Sequence, residues 1–217
     1  MKKKFLTAGI FAALFICLTI SLSIFDIAAV GPESSKVGLS HINNATFQFF
    51  GTSRAWDKIT DVLIVIAIVS AIALVGYLVY QAVKRRKVNP IFYPLAGLYA
   101  ATGVFYLLFE KIIKINCRPV LEEGKLAVSY PSTHTLIACV LMWSSAVMLG
   151  KIIKDLRVRR VLQTLCIVIS LLIAYGRIFA GMHWITDVHG SFLLAGALVF
   201  AFWGALDCKK LAKKHGK

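Results

Sequence analysis

Residues 62–87 read VLIVIAIVSAIALVGYLVYQAVKRRK. Val62–Val83 carries no charge over 22 residues, and four basic residues, Lys84, Arg85, Arg86 and Lys87, close it. About 20 mostly apolar residues make a helix long enough to cross the hydrocarbon core of a bilayer. A basic cluster at one end marks the cytoplasmic side. The stretch therefore reads as a membrane span with a direction. The whole chain agrees: of 217 residues 59% are hydrophobic and 16% charged, with a mean hydropathy of +0.77. Soluble domains average roughly 45–50% apolar and 25% charged residues. Disorder and a water-soluble single domain are both excluded, because so much apolar surface has to be covered and water cannot cover it.

Five further spans flank this one. Phe5–Phe25, Ile91–Phe109 and Val188–Leu206 are long uncharged runs. Leu136–Gly150 and Val161–Gly176 are shorter, and reach spanning length only by taking in polar neighbours: Pro131, Ser132, Thr133 and His134 before one, Arg177 after the other. Seventeen of the 25 basic residues fall at the ends that six alternating helices place on one side. They are Lys2–Lys4, Lys84–Lys87, the group from Lys151 to Arg160, and the tail from Lys209 to Lys217. The formal charge of +15 would suggest nucleic acid in a soluble protein. Here it is spread in short runs beside the membrane, so it records orientation, with both termini cytoplasmic.

The expected architecture is all-α, an integral membrane bundle of six transmembrane helices in one domain, residues 1–217. The first span is read as a retained helix, since its 21 residues exceed a signal peptide's apolar core of about 7–15. Within the long external loop 28–60, Ile42, Ala45, Phe49 and Phe50 recur near helical spacing, which predicts a short helix over Ile42–Trp56 resting on the membrane surface. Residues 207–217 read as a basic cytoplasmic tail. Five cysteines form no framework: Cys17, Cys139 and Cys166 lie in spans, Cys208 is cytoplasmic and Cys117 stands alone outside. No metal-ligand spacing occurs, so neither metal nor cofactor is expected.

Polar residues at the edge of a membrane are costly and usually functional. Three clusters meet that description: Lys111…Arg118-Pro119, Tyr130-Pro131-Ser132-Thr133-His134, and Arg177…His183…Asp187. The alternating topology places all three at the external ends of spans three to six. Two arginines and a lysine can neutralise a phosphate, arginine through planar bidentate hydrogen bonds. Ser132 and Thr133 begin a helix, whose free N–H groups suit an anion. His183 and Asp187, at i and i+4, share a helix face, so the carboxylate can orient the imidazole for attack. His134 is then available to protonate a leaving alkoxide. His189 points to another face, and His41 and His215 read as solvated.

These residues resemble the signature of the type 2 phosphatidic acid phosphatase superfamily, which holds membrane lipid phosphatases and vanadium haloperoxidases. The pattern K-x6-R-P, P-S-G-H and S-R-x5-H-x3-D appears as Lys111-x6-Arg118-Pro119, Pro131-Ser132-Thr133-His134 and Gly176-Arg177-x5-His183-x3-Asp187. The resemblance implies that Lys111, Arg118 and Arg177 grip the phosphoryl oxygens, with Ser132 and the Thr133 backbone adding donors. It implies His183 as the nucleophile of a phosphohistidine intermediate, Asp187 as its orienter and His134 as acid and then base. Thr133 stands where the motif has glycine, which restricts backbone approach. Gly176 stands where the motif has serine, which removes one hydrogen bond.

The function implied is a metal-independent membrane phosphatase for lipid phosphates, with undecaprenyl diphosphate, phosphatidylglycerophosphate and phosphatidate as candidate substrates. It would sit in a bacterial plasma membrane with its site outside. Its partners would be lipid substrate and bilayer, not nucleic acid, and the sequence leaves oligomeric state open. Two other classes fit less of the pattern. A phosphatase or phosphotransferase for soluble esters would use the same phosphoenzyme. A non-enzymatic anion-binding membrane protein would need the cations but not His134, His183 and Asp187.

Overall fold

The computed structural model describes residues 1–86 and 88–215. Lys87 and Lys217 of the basic clusters lie outside the described residues, as do the side chains of residues 209–215, His215 among them. Helices α1 (Lys2–Ile24), α2 (Ser40–Phe50), α3 (Arg54–Arg85), α4 (Phe92–Leu107), α5 (Thr133–Ile152), α6 (Leu156–Phe179) and α7 (Ile185–His215) follow in order. Strands β1 (Ile115–Cys117) and β2 (Val128–Tyr130) separate α4 from α5. Among the described residues six helices, all but α2, are long and apolar enough to cross a membrane. Helices suit that setting because every backbone polar group inside the bilayer needs a partner from its own segment. The protein is an integral membrane helix bundle.

The two short apolar runs extend as the sequence requires: α5 takes in Thr133 and His134, and α6 takes in Arg177. Two features differ from expectation. Trp56 belongs to the first turn of α3, so the surface helix stops at Phe50. The basic tail does not form a separate segment, because α7 continues unbroken to His215. The turn between α5 and α6 is short, and Asp155 caps α6 by accepting from the Arg157 and Val158 N–H groups at 2.8 and 2.9 Å. Short connections make consecutive helices antiparallel neighbours.

The bundle packs α5 against α6 and α7, α1 against α7, and α3 against α5 and α6. Phe15 stacks on Tyr130 with centroids 6.0 Å apart, and Phe109 meets both rings edge-on. The C-terminal ends of α1, α4 and α6 and the N-terminal ends of α3, α5 and α7 therefore lie at one end of the bundle. Eight of the ten acidic residues belong to that end and balance its eight basic ones; only Asp155 and Asp207 belong to the other. The +15 excess thus resides at the end away from the three polar clusters.

At the clustered end the chain is irregular but bonded. β1 and β2 pair antiparallel, Ile115 opposite Tyr130 and Cys117 opposite Val128. Asn43 of α2 is fully buried; it donates to the Gly38 carbonyl at 2.9 Å and accepts from the Thr186 N–H and hydroxyl at 3.3 and 3.0 Å. Thus α2 braces the start of α7. His41, read as solvated, is exposed yet pairs with Asp26 at 2.6 Å, because the His41 N–H and the Ser40 hydroxyl already hold that carboxylate. These contacts hold the Asp26 carboxyl below its usual range.

Candidate active site

The site assembles where α3, α5, α6 and α7 meet the β-hairpin. His183 lies in the turn between α6 and α7, and Asp187 in the first turn of α7; both are buried. His183 Nδ1 lies 3.5 Å from Asp187 Oδ2 and 3.4 Å from Ser129 Oγ. Ser129 in turn donates its hydroxyl proton to Asp187 Oδ2, which also accepts the Trp184 N–H at 2.9 Å. A serine has one proton to give, so its oxygen must accept from His183. That assigns the imidazole proton to Nδ1 and leaves a lone pair on Nε2. Nε2 is buried and has no hydrogen-bond partner among the described residues. Burial first, then the charges of Arg118 and Arg177, push this imidazole well below its ordinary pKa.

Trp184 fixes the turn from a second direction, donating its indole N–H to the Cys117 carbonyl at 2.6 Å. Gly190 lets α7 approach β2: a Cβ there would lie 2.3 Å from the Tyr130 ring. The close contact brings Asp187 level with Ser129.

Arg177, at the end of α6, is 2% exposed. It does not pair with Asp187. It donates to Asp57 Oδ1 at 2.7 Å and to Thr60 Oγ1 at 3.2 Å, with Asp61 Oδ1 at 3.8 Å. Arg118, just past β1, ion-pairs with Glu122 at 2.9 Å. Among the described residues the Nε atoms of both arginines are buried without partners. Ser132 holds the N-cap position of α5, makes no side-chain capping bond and is fully buried. Its N–H donates to the Asp187 carbonyl at 3.2 Å, and its hydroxyl accepts from Thr135 at 3.1 Å. Thr133 and His134 occupy the first helical positions of α5, where backbone N–H groups are free for an anion. His134 Nε2 faces Asp61 Oδ1 at 3.4 Å.

The structure brings together Arg118, Ser132, Thr133, His134, Arg177, His183 and Asp187. Lys111 is set apart. It sits in a π-helical turn, Leu108–Ile112, that ends α4; its side chain is 70% exposed and its partner is Glu110 at 3.8 Å.

Sequence reasoning missed Asp57, Thr60, Asp61 and Ser129. Asp57 and Asp61 are carboxylates four residues apart at the edge of a span, the same kind of signal that drew notice to His183 and Asp187. The role of Gly176 also changes. A Cβ there would lie 2.5 Å from Thr60 Cγ2 and 3.2 Å from Trp56 Cε3, so this glycine is where α6 and α3 touch. That close approach helps α3 deliver Asp57 to Arg177.

Comparison with known proteins agrees with this frame. The family model described as the PAP2 superfamily matches residues 7–209. No curated protein matches the chain. Among solved structures, the fold is similar to that of a transmembrane PAP2-type phosphatidylglycerolphosphate phosphatase from Bacillus subtilis. The TM-score is 0.67 at 16% identity, over 94% of this chain and 96% of that one.

Proposed function

We propose that this chain, which belongs to the PAP2 superfamily, is a metal-independent membrane phosphatase acting on lipid phosphates through a phosphohistidine. The observation that carries the reading is His183 Nε2: buried, unpartnered, with its lone pair freed by the Ser129–Asp187 relay and two unpartnered arginine Nε–H groups in the same site. A binding protein would need the cations but not the relay.

In the proposed reaction Arg118 and Arg177 hold the phosphoryl oxygens, with the Ser132 hydroxyl and the Thr133 N–H at the start of α5 adding donors. Lys111 contributes longer-range charge from the rim. The Nε2 lone pair of His183 attacks phosphorus, forming the N–P bond as the P–O ester bond breaks. The ester oxygen leaves with its electron pair and takes a proton from His134. Water then attacks phosphorus, His134 takes the water's proton, and the N–P bond breaks to release inorganic phosphate. Asp187 offsets the charge that Nδ1–H carries in the phosphoenzyme.

A lipid substrate is favoured by a row of neighbouring hollows, apolar away from Thr133. A small cavity at Glu110, Tyr130 and Thr133 adjoins, through Tyr106, a 310 Å³ cavity between α4 and α5. That one adjoins, through Tyr99 and Leu141, a 450 Å³ cavity walled by Ile68, Ile72 and Gly76 of α3. These hollows share lining residues from Thr133 inward along α4, α5 and α3, the direction in which an acyl or prenyl tail would lie. The positive-inside bias supports a site on the outer face.

The test is phosphate release by the purified protein from phosphatidate, phosphatidylglycerophosphate, undecaprenyl diphosphate and soluble esters, in EDTA. Turnover of a lipid ester that persists in EDTA and is inhibited by vanadate is expected. A strict requirement for divalent metal, or preference for the soluble esters, refutes the proposal.

A further inference from the structure

Helix α3 brings two carboxylates into a site built to hold a phosphate, and anion binding gives them no purpose. Asp57, Thr60 and Asp61 lie within one turn, on one face. Asp57 and Thr60 have a clear task, since both bind the Arg177 guanidinium. Asp61 does not share it. Its oxygen is 3.8 Å from Arg177 but 3.4 Å from His134 Nε2, and its side chain is 57% exposed.

The charged and titratable groups around His134 are Arg177 from α6, Arg118 from beyond β1, Asp57 and Asp61 from α3, and the neutral imidazole of His183 from the turn before α7. Two guanidinium groups oppose a further positive charge, while a carboxylate within about 4–6 Å favours one. A general acid must hold its proton before the leaving group needs it. Asp57 is committed to Arg177, which leaves Asp61 as the countercharge for His134. At 3.4 Å the two groups form an ion-pair contact without a hydrogen bond between them. Asp61 therefore stabilises the imidazolium by charge and leaves Nε2–H available to swing to a leaving oxygen. We infer that Asp61 is a positioning residue for the reaction: it directs the His134 imidazole and offsets the charge that His134 takes on when it holds the proton that expels the alcohol, giving each histidine of the site its own carboxylate. This rests on the phosphatase reading above.

The test uses the full-length protein in detergent and two phosphate monoesters with the same alkyl tail, one an alkyl ester and one a nitrophenyl ester. The nitrophenolate leaves without protonation, so only the alkyl ester needs the acid. Asp61→Asn should lower kcat for the alkyl ester by about 10- to 100-fold and for the nitrophenyl ester by less than about 3-fold. It should also move the alkaline limb of the alkyl-ester kcat profile down by about one pH unit. Asp61→Glu should recover most of the loss. His134→Ala, measured alongside, separates the two claims. If His134→Ala has no leaving-group dependence, the phosphatase mechanism and this inference fall together. If His134→Ala has it but Asp61→Asn slows both esters equally, or slows neither, Asp61 does not act through His134 and the inference alone is overturned.

Discussion

Replacing Gly176 by serine would restore the residue that the motif usually has before its arginine, and we expect it to damage this protein. The new Cβ would lie 2.5 Å from Thr60 Cγ2. Carbon atoms pack best at roughly 3.5–4.0 Å, so about 1 Å must be found. Thr60 cannot supply it cheaply. It is fully buried, its hydroxyl donates to the Asp57 carbonyl at 2.8 Å, and the same oxygen accepts from Arg177 at 3.2 Å. Rotating a β-branched side chain out of its well would break both bonds, at roughly 1 kcal/mol for the neutral one and 1.5–3 for the charged one. The cheaper response is for α3 to move off α6, an overpacking cost of about 1–3 kcal/mol. Serine's better helix propensity returns roughly 0.5 kcal/mol. The net loss is therefore about 0.5–2.5 kcal/mol, or a fall in Tm of roughly 1–10 °C for a chain of this size. Activity should fall too, because the shift carries Asp57 away from Arg177. The assay is intrinsic tryptophan fluorescence on heating in detergent, for Gly176→Ser, Thr60→Ser and the double variant. Thr60→Ser deletes the Cγ2 methyl but keeps the hydroxyl, so the double variant should regain most of the lost Tm. A Gly176→Ser protein with unchanged Tm, or a double variant no better than the sum of the singles, would refute the packing argument.

Other outcomes follow from the same geometry. His183→Ala should abolish turnover and phosphoenzyme labelling, while Lys111→Ala, exposed on the rim, should mainly raise KM and cost less than Arg177→Ala. The nucleophile must be neutral, and its pKa is pushed well below 6.5. The acid limb of kcat/KM should therefore lie well below pH 6.5, and a limb at 6.5 or above would contradict a buried His183. Ser129→Ala should slow phosphoenzyme formation by removing the relay that keeps the proton on Nδ1, readable in single-turnover labelling. Cysteines placed at Arg118 and Lys84 should react with an impermeant thiol reagent from opposite sides of the membrane; labelling from the same side would overturn the topology.

The sequence was legible where the physics is local. A span is a property of its own 20 or so residues, since a backbone in lipid must bond to itself. Orientation depends on the sign of a few flanking charges. Thr133, His134 and Arg177 were recognisable because charge and polarity at the edge of a span are costly and therefore rare. Asp57 and Asp61 carry that same mark. They went unread because the loop before them is polar, so the edge of α3 was not visible in hydropathy. The α2 brace was legible as a surface helix, but nothing near Asn43 in the chain points to Thr186, its partner 143 residues away.

What the chain alone determined is six helices, their alternation, and the chemical types that gather at one end. What only the tertiary structure decided is pairing. Arg177 lies next to Asp57 rather than Asp187, His183 reaches its carboxylate through Ser129, and Lys111 stays outside while Asp61 comes in. Hydropathy places a residue at a depth in the membrane, whereas the direction it faces depends on which helices touch. Here that contact is made at Gly176, where the absence of a single Cβ lets α3 and α6 close on each other.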